Sequence, residues 1–240
     1  MLPEEGAAAR SRLRAWLRSE PLVRILPFAL FMVFVALGSF APPPLPAPPG
    51  DWDPRWIYAA RAIVTGAALV LLWPRFVELK EVRLGLRDGL LGVAAGVGVL
   101  IIWVLLDEGW VTFKLGNGFD PRQYGSEAID WPVTLFRLLG LAIVVPLAEE
   151  LFWRSFLLRW LEKQDFLALA PAAIGVRALV ITSVLFALEH NQWLAGFIAG
   201  LVYGGLYMRT GRLWVAVIAH AVTNGLLGAY ILIMRDWRFW

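Results

Sequence analysis

The chain has 240 residues, is 59% hydrophobic, carries a formal net charge of +3 and contains no cysteine. Several apolar runs come close to the roughly 20 residues that cross a bilayer as a helix, so the composition indicates a polytopic membrane protein and sets a soluble domain aside. The positive charge does not indicate a nucleic-acid partner, because the arginines are dispersed over loops and helix ends, and the lack of cysteine excludes disulfides, thiol catalysis and cysteine metal ligands.

The apolar runs predict an all-α transmembrane helical bundle of about seven spans, within a range of six to eight. The chain is short enough to form a single transmembrane domain over 1–240, with spans 1 to 3 in residues 1–130 and spans 4 to 7 in residues 131–234. The predicted spans are, in order, 22–41, 56–74, 89–106, 131–162, a fifth that follows the connection 163–175 and ends near His190, 192–208 and 211–234.

The segments on either side of the first span have distinct compositions. Residues 9–20 alternate arginine with leucine and tryptophan, which is typical of a short basic helix on the membrane surface or of a solvated tail. Prolines dominate residues 42–49, which predicts an extended loop. No small-residue cleavage site follows the first apolar run, so we interpret it as a retained span and not as a signal peptide.

Lysine and arginine residues near the span ends fall mostly on the side of the N-terminus. This bias predicts a multi-pass protein with a cytoplasmic N-terminus and an outer C-terminus. The longest polar stretch, 107–130, is rich in acids and is predicted to lie on the outer side.

One stretch of the fourth predicted span, Pro146 to Arg154, places two adjacent carboxylates and an arginine inside an apolar run. Ionisable residues at membrane depth are costly and face a protein interior or a wet cavity, so they indicate a functional site. Glu150 and Arg154 lie four residues apart on one helix face and are predicted to pair, with a supporting role. Glu149 lies about 100° away around the helix and stays free. Pro146 predicts a kink.

Both histidines of the chain, His190 and His220, lie in apolar surroundings, and Asn224 shares a helix face with His220. Counted from the connection 163–175, Glu149 and His190 each lie roughly 20 Å deep, and His220 and Asn224 lie roughly 13 and 20 Å deep, at 1.5 Å per residue. Each residue alone is more typical of a structural contact. Together they are predicted to meet in one layer.

Such a layer predicts hydrolysis without a protein nucleophile. Glu149 and His190 would hold and deprotonate a water, which then attacks a carbonyl. His220 and Asn224 can donate hydrogen bonds to the oxyanion that forms. Glu189 stays outside this predicted set, because it could face the outer water or pair with an arginine.

Three motifs in this order, Glu149-Glu150-x-x-x-Arg154, Phe186-x-x-x-His190 and His220-x-x-x-Asn224, resemble those of the CPBP family, the CAAX-prenyl-protease and bacteriocin-processing membrane proteins also called ABI. The resemblance covers about 131–230. It implies a glutamate-type intramembrane endopeptidase without a cofactor, acting on a membrane protein or peptide in the bilayer, with 131–234 as the catalytic core. The implied roles are water activation by Glu149 and His190, an oxyanion hole of His220 and Asn224, and support from Glu150 and Arg154.

A second resemblance is weaker. The segment from Arg209 to Trp214, the segment that begins at His220 and the tryptophan-rich C-terminus are similar to a bacterial subgroup associated with exosortase and PEP-CTERM sorting. This implies a bacterial inner-membrane protein with a substrate and partners from that sorting pathway.

Three alternatives stay open at this point. The chain could be a non-catalytic membrane scaffold or an immunity-type binding protein that keeps the motifs for packing. A zinc site formed by Glu149, His190 and His220 is chemically possible and is the lesser alternative. A proton-coupled transporter is disfavoured, because the sequence has no repeated halves.

Overall fold

The structure is a computed structural model that describes residues 19–39, 53, 55–80, 84–113, 119–123 and 126–240. The predicted basic segment 9–20, apart from its last two residues, and the proline-rich loop 42–49 lie outside the described residues. Both therefore stay predictions from the sequence.

The described part of the chain forms eight helices and no strand, with one isolated bridge between Arg122 and Ile129. The predicted all-α fold is therefore confirmed. The helices are α1 (Glu20–Ser39), α2 (Trp56–Leu72), α3 (Val77–Lys80), α4 (Leu86–Leu105), α5 (Trp131–Trp160), α6 (Val176–Ala187), α7 (Trp193–Thr210) and α8 (Leu213–Met234).

Five of the described helices, namely α1, α2, α4, α5 and α8, are long and apolar enough to cross a membrane. The sequence predicted about seven spans, and the fifth and sixth of these correspond to α6 and α7. Helix α7 has 18 residues, whereas α6 has only 12. The polytopic helical bundle is confirmed, with five candidate spans among the residues described.

Helix α6 is shorter than predicted. It ends at Ala187, and the chain turns through 188–191, where the His190 amide bonds to the Ala187 carbonyl at 3.1 Å. Twelve helical residues extend about 18 Å, less than the roughly 30 Å hydrocarbon core. The expectation that the fifth span reaches His190 is therefore wrong, and His190 lies in the turn beyond the helix.

The connections between helices gather at two opposite ends of the bundle. At one end, the Trp214 indole at the start of α8 donates to the carbonyl of Leu79 at 2.9 Å. At the other end, the Phe113 amide donates to the Asn191 carbonyl at 2.8 Å. The first end carries the connections that the charge bias predicts to be cytoplasmic, and the second carries those predicted to be outer.

Helices α4 and α8 cross at very short range, and glycine makes this possible. A Cβ atom on Gly96 would lie 2.4 Å from the Ala219 carbonyl oxygen and 2.8 Å from the Val222 side chain. Only a residue without a side chain fits at such a crossing. This contact fixes the depth of α8 next to His220.

Two π-helical segments, Gly140–Val144 and Leu151–Leu157, flank the short α-helical segment that contains Pro146 and both glutamates. The Val145 amide bonds to the Gly140 carbonyl, five residues back, just before Pro146, which has no amide hydrogen to donate. The helix therefore widens at the position where the sequence predicted a kink. Such π-helical turns occur often at functional sites.

Candidate active site

Glu150 is fully buried and joins two helices. Its Oε1 atom lies 3.0 Å from Arg154 Nη1, as the four-residue spacing predicted, and 2.9 Å from Nδ1 of His220 on α8. A carboxylate only accepts hydrogen bonds, so His220 donates from Nδ1. This orients the opposite ring nitrogen, Nε2, toward Glu149, whose Oε2 lies 4.0 Å away.

Aromatic rings hold Arg154 and His220 in place. The Arg154 guanidinium lies over the rings of Phe186, at 4.4 Å from the centroid, and Tyr203, at 5.4 Å. Tyr203 also stacks on the His220 ring, with centroids 5.0 Å apart, and its hydroxyl bonds to Thr223 Oγ1 at 2.7 Å. The imidazole of His220 is therefore fixed on two sides.

His190 lies in the turn beyond α6 and caps that helix. Its Nδ1 atom lies 2.7 Å from the Phe186 carbonyl oxygen, and since a carbonyl only accepts, Nδ1 donates. The bond satisfies one of the last carbonyls of α6, which has no partner within the helix. In the neutral ring Nε2 then keeps its lone pair. The Trp103 ring packs edge-on against the imidazole, with centroids 5.2 Å apart.

Glu149 is 4% exposed, and its Oε2 atom has no hydrogen-bond partner among the described residues. Buried polar atoms without a partner are rare in folded proteins and call for an explanation, such as a water or an ion that belongs there. Glu149 thus offers an open acceptor next to the two histidines.

Glu189 belongs to the same cluster, although the sequence analysis left it out. One oxygen of Glu149, one oxygen of Glu189 and one ring nitrogen of His190 all lie within 4.8 Å of one another. Glu189 also accepts a hydrogen bond from the Trp153 indole at 3.0 Å. The signal in the sequence was the position of Glu189 directly before His190, at the end of a short apolar run.

Asn224 is bonded to the backbone of α5. Its Nδ2 atom donates to the carbonyl of Leu141, in the first π-helical segment, at 3.0 Å. In the part of the chain that the structure describes, no hydrogen bond or ion pair joins Asn224 to Glu149, His190 or His220. Its second amide hydrogen remains for a ligand.

The cluster contains donor groups that a metal ion accepts. Glu149, Glu189 and His190 supply two carboxylate oxygens and one imidazole nitrogen, all ligand types of zinc. The zinc alternative from the sequence used Glu149, His190 and His220, whereas the ligand atoms that lie within 4.8 Å of one another belong to Glu149, Glu189 and His190. His220 Nε2 lies 4.0 Å from Glu149 Oε2, and the bond from its Nδ1 to Glu150 is compatible with a metal ligand.

Comparison with known proteins bears on the same region. Residues 131–226 match the family model of the type II CAAX prenyl endopeptidase Rce1-like proteins. This region is therefore similar to the Rce1-like family. The chain is also 25% identical over 196 residues to the "Putative membrane peptidase YdiL" of Bacillus subtilis, covering 75% of this chain and 71% of that protein. No solved structure matches the chain.

The match confirms the CPBP resemblance, whereas the exosortase-associated subgroup stays a prediction. All the predicted site residues lie within the Rce1-like region: Glu149, Glu150, Arg154, His190, His220 and Asn224. Glu189 lies there as well. Helices α1, α2 and α4 lie outside it but contact it, through Phe28 on Phe152, Trp56 on Phe136 and Trp103 on His190 respectively.

Proposed function

We propose that the chain is an intramembrane endopeptidase that hydrolyses a peptide bond of a membrane-associated protein with an activated water. The family match supports a membrane protease of the CAAX type. The observation that carries the finer proposal is the cluster of Glu149, Glu189 and His190 beside the open oxygen of Glu149. The same region holds no cysteine that could act as a nucleophile.

In this proposal two open hydrogen-bond acceptors, on Glu149 and His190, hold and activate the water. Oε2 of Glu149 has no partner, and Nε2 of His190 keeps its lone pair because Nδ1 donates to Phe186. A water held between them donates one hydrogen to each, so its oxygen lone pair points away, toward a substrate carbonyl. Glu149 then takes the proton as the water attacks. Glu189 supplies a second carboxyl group within 4.8 Å of Glu149, and it can pass that proton on to the leaving amine.

In this proposal His220 and Asn224 stabilise the oxyanion by donating hydrogen bonds to it. His220 donates through Nδ1 to Glu150, so Nε2 can donate to an oxyanion only when the ring carries both protons. Glu150 stabilises that charged ring, and Arg154 in turn holds Glu150. Asn224 contributes the amide hydrogen that Leu141 leaves unused.

The substrate is proposed to be a membrane protein or peptide that enters from the bilayer. Partners from an exosortase-type sorting pathway, a bacterial inner-membrane location and a cytoplasmic N-terminus remain part of this proposal. They follow from the weaker sequence resemblance and from the charge bias.

The test compares protein termini in membranes of cells that carry the native chain with those of cells that carry Glu149→Gln at equal abundance. Glutamine keeps the shape of the side chain but cannot take a proton. Termini that vanish in this variant, and persist in the control Glu108→Gln, support proteolysis and identify the substrate. Glu108 is exposed and lies outside the cluster.

The alternatives predict other outcomes. A non-catalytic scaffold or immunity-type protein should keep its cellular role in Glu149→Gln, with no change in any terminus. A zinc enzyme should purify with stoichiometric metal bound through Glu149, Glu189 and His190 and should lose activity on chelation. Metal analysis of Glu189→Gln separates this case from the proposed mechanism.

A further inference from the structure

A cleft of about 460 Å³ opens at the end of the bundle opposite the candidate active site. It lies where the connection between α5 and α6 meets the turn between α7 and α8. Its wall combines the polar side chains of Glu78, Arg159, Tyr207 and Arg212 with apolar ones such as Leu167 and Trp214. A cleft of this size holds a small molecule or a lipid headgroup.

Arg159 brings a buried positive charge to this wall, since only 5% of the residue is exposed. Its Nε and Nη2 atoms donate to the carbonyls of Leu167 and Leu169 at 2.8 to 3.1 Å, and Nη1 donates to the Tyr207 hydroxyl at 3.3 Å. A guanidinium carries five N–H groups, so one hydrogen of Nη1 is not used by the described residues. These acceptors are uncharged, and no acid in the described part of the chain forms an ion pair with Arg159.

The other charged side chains of the cleft have partners of opposite charge. Both oxygens of Glu78 accept hydrogen bonds from Arg24, at 2.8 and 2.7 Å, and Arg212 forms an ion pair with Asp88. Among the residues described, the wall therefore carries one positive charge in excess, that of Arg159. A buried charge without a counter-charge is costly, so an anion in the cleft would stabilise the structure.

The first turn of α8 adds hydrogen-bond donors to the same wall. Leu213 and Trp214 begin this helix of 22 residues and line the cleft, and no side chain caps the N-terminus of the helix. The first amides of a helix have no partner within it, and the helix dipole makes this end positive. Phosphate groups bind at such helix ends. Arg159 and the uncapped turn therefore border one space that is suited to an anion.

The surroundings of the cleft favour a lipid as the source of this anion. Trp214 packs against the exposed Trp73, with ring centroids 6.4 Å apart, and tryptophans concentrate at the level of the lipid headgroups. The exposed cations Lys163 and Arg209 lie beside the cleft, since the Lys163 amide bonds to the Arg159 carbonyl and Arg209 precedes the turn between α7 and α8. Basic residues at this depth attract anionic lipids.

We propose that the cleft binds the phosphate group of an anionic phospholipid, with Arg159 and the first turn of α8 as its donors. Donors from two helices suit a tetrahedral phosphate, whose oxygens point in several directions. The net negative charge of the headgroup offsets the charge of Arg159, whereas the choline of a zwitterionic lipid brings a second positive charge into the cleft. The apolar part of the wall contacts the glycerol and the first carbons of the acyl chains.

The test counts the lipids that stay bound to the full chain, by native mass spectrometry in a neutral maltoside detergent. Phosphatidylglycerol and phosphatidylcholine with the same acyl chains are added together at equal concentration. The native chain should retain one phosphatidylglycerol with a preference of at least about tenfold, as a charge-assisted hydrogen bond provides. Arg159→Gln keeps amide hydrogens for the carbonyls but removes the charge, and it should lose the preference. Arg177→Gln, an exposed position at the start of α6, should keep it.

Arg159→Lys separates the charge of Arg159 from its structural bonds. Lysine keeps the charge but cannot bond to the same carbonyls as a planar fork, so this variant should retain most of the preference. Equal loss in the lysine and glutamine variants would show an arginine that only holds the connection in place, and it would overturn the inference. Equal retention of the two lipids by the native chain overturns it without any variant, and so does a preference that survives Arg159→Gln.

Inorganic phosphate distinguishes the two sources of the phosphate group. Phosphatidylglycerol should stay bound when sodium phosphate is added in large excess, at the same ionic strength as a sodium chloride control. Displacement by phosphate but not by chloride would assign the cleft to a free phosphate and overturn the lipid. The inference does not depend on the proposed peptidase, since Glu149→Gln should retain phosphatidylglycerol as the native chain does.

Discussion

Glu150 and His220, seventy residues apart in the chain, share a 2.9 Å hydrogen bond inside the bundle. The bond joins α5 to α8 and determines which nitrogen of His220 faces Glu149. The acid that the sequence paired with Arg154, in a supporting role, therefore also sets the geometry of the candidate active site.

Replacement of Glu150 by glutamine should destabilise the fold strongly. It leaves Arg154 buried without a carboxylate, and breaking one half of a buried pair costs about 3 to 5 kcal/mol. Unfolding of the purified protein in a denaturing detergent measures the loss. The double variant Glu150→Gln with Arg154→Met should recover part of the stability, and a double variant no more stable than the single one would contradict this explanation.

Replacement of His190 by asparagine separates its two functions. The asparagine amide can still donate to the Phe186 carbonyl and cap α6, but it has no atom in the place of Nε2. The variant should fold normally and lose about 10² to 10⁴ of its peptidase rate, as removal of a general-base partner does. The measurement is the peptidase rate of this variant on an identified substrate, and its melting temperature shows whether it folds normally. Full activity in this variant would remove His190 from the mechanism.

Much of the fold could be predicted because it depends on local pattern. Apolar runs located the helices, and the four-residue spacing located the pair of Glu150 and Arg154. The end of α6 could not be predicted, since the turn at 188–191 lies within polar and apolar residues that also suit a helix. That turn brings Glu189 into the cluster.

Contacts between distant segments of the chain also could not be predicted from the sequence. The bond between Glu150 and His220 and the bond from Asn224 to Leu141 depend on how α8 packs on the π-helical segments of α5. Depth along a span places residues in one layer, but it does not say which way each side chain turns.

Alanine at Gly96 should disturb the crossing of α4 and α8. The new methyl group would overlap the Ala219 carbonyl at 2.4 Å, and backbone cannot move aside easily. We expect a loss of at least about 1 to 3 kcal/mol in unfolding free energy, the range for overpacking. Gly98, two residues along the same helix, has nothing within 4 Å of a Cβ atom. Gly98→Ala should be neutral or slightly stabilising, so equal effects at the two positions would refute the packing argument.

Glu78 should make the bundle sensitive to acid at the end opposite the candidate site. Burial by itself would raise the pKa of Glu78, but the hydrogen bonds and charge of Arg24 outweigh it and hold the pKa below its ordinary 4.5. A carboxyl whose pKa is lowered by folding stabilises the folded state above its unfolded value and loses this contribution as pH falls through the folded value.

The contribution of Glu78 to the free energy of unfolding should therefore be constant above about pH 4.5 and should decrease at lower pH. Glu78→Gln should cost about 1 to 3 kcal/mol at pH 7, because Arg24 and Ser155 lose a charged acceptor. The variant should also show a weaker decline below about pH 4.5. Unfolding curves of both proteins across this range provide the measurement, and parallel pH profiles would show that Glu78 is not the group that titrates.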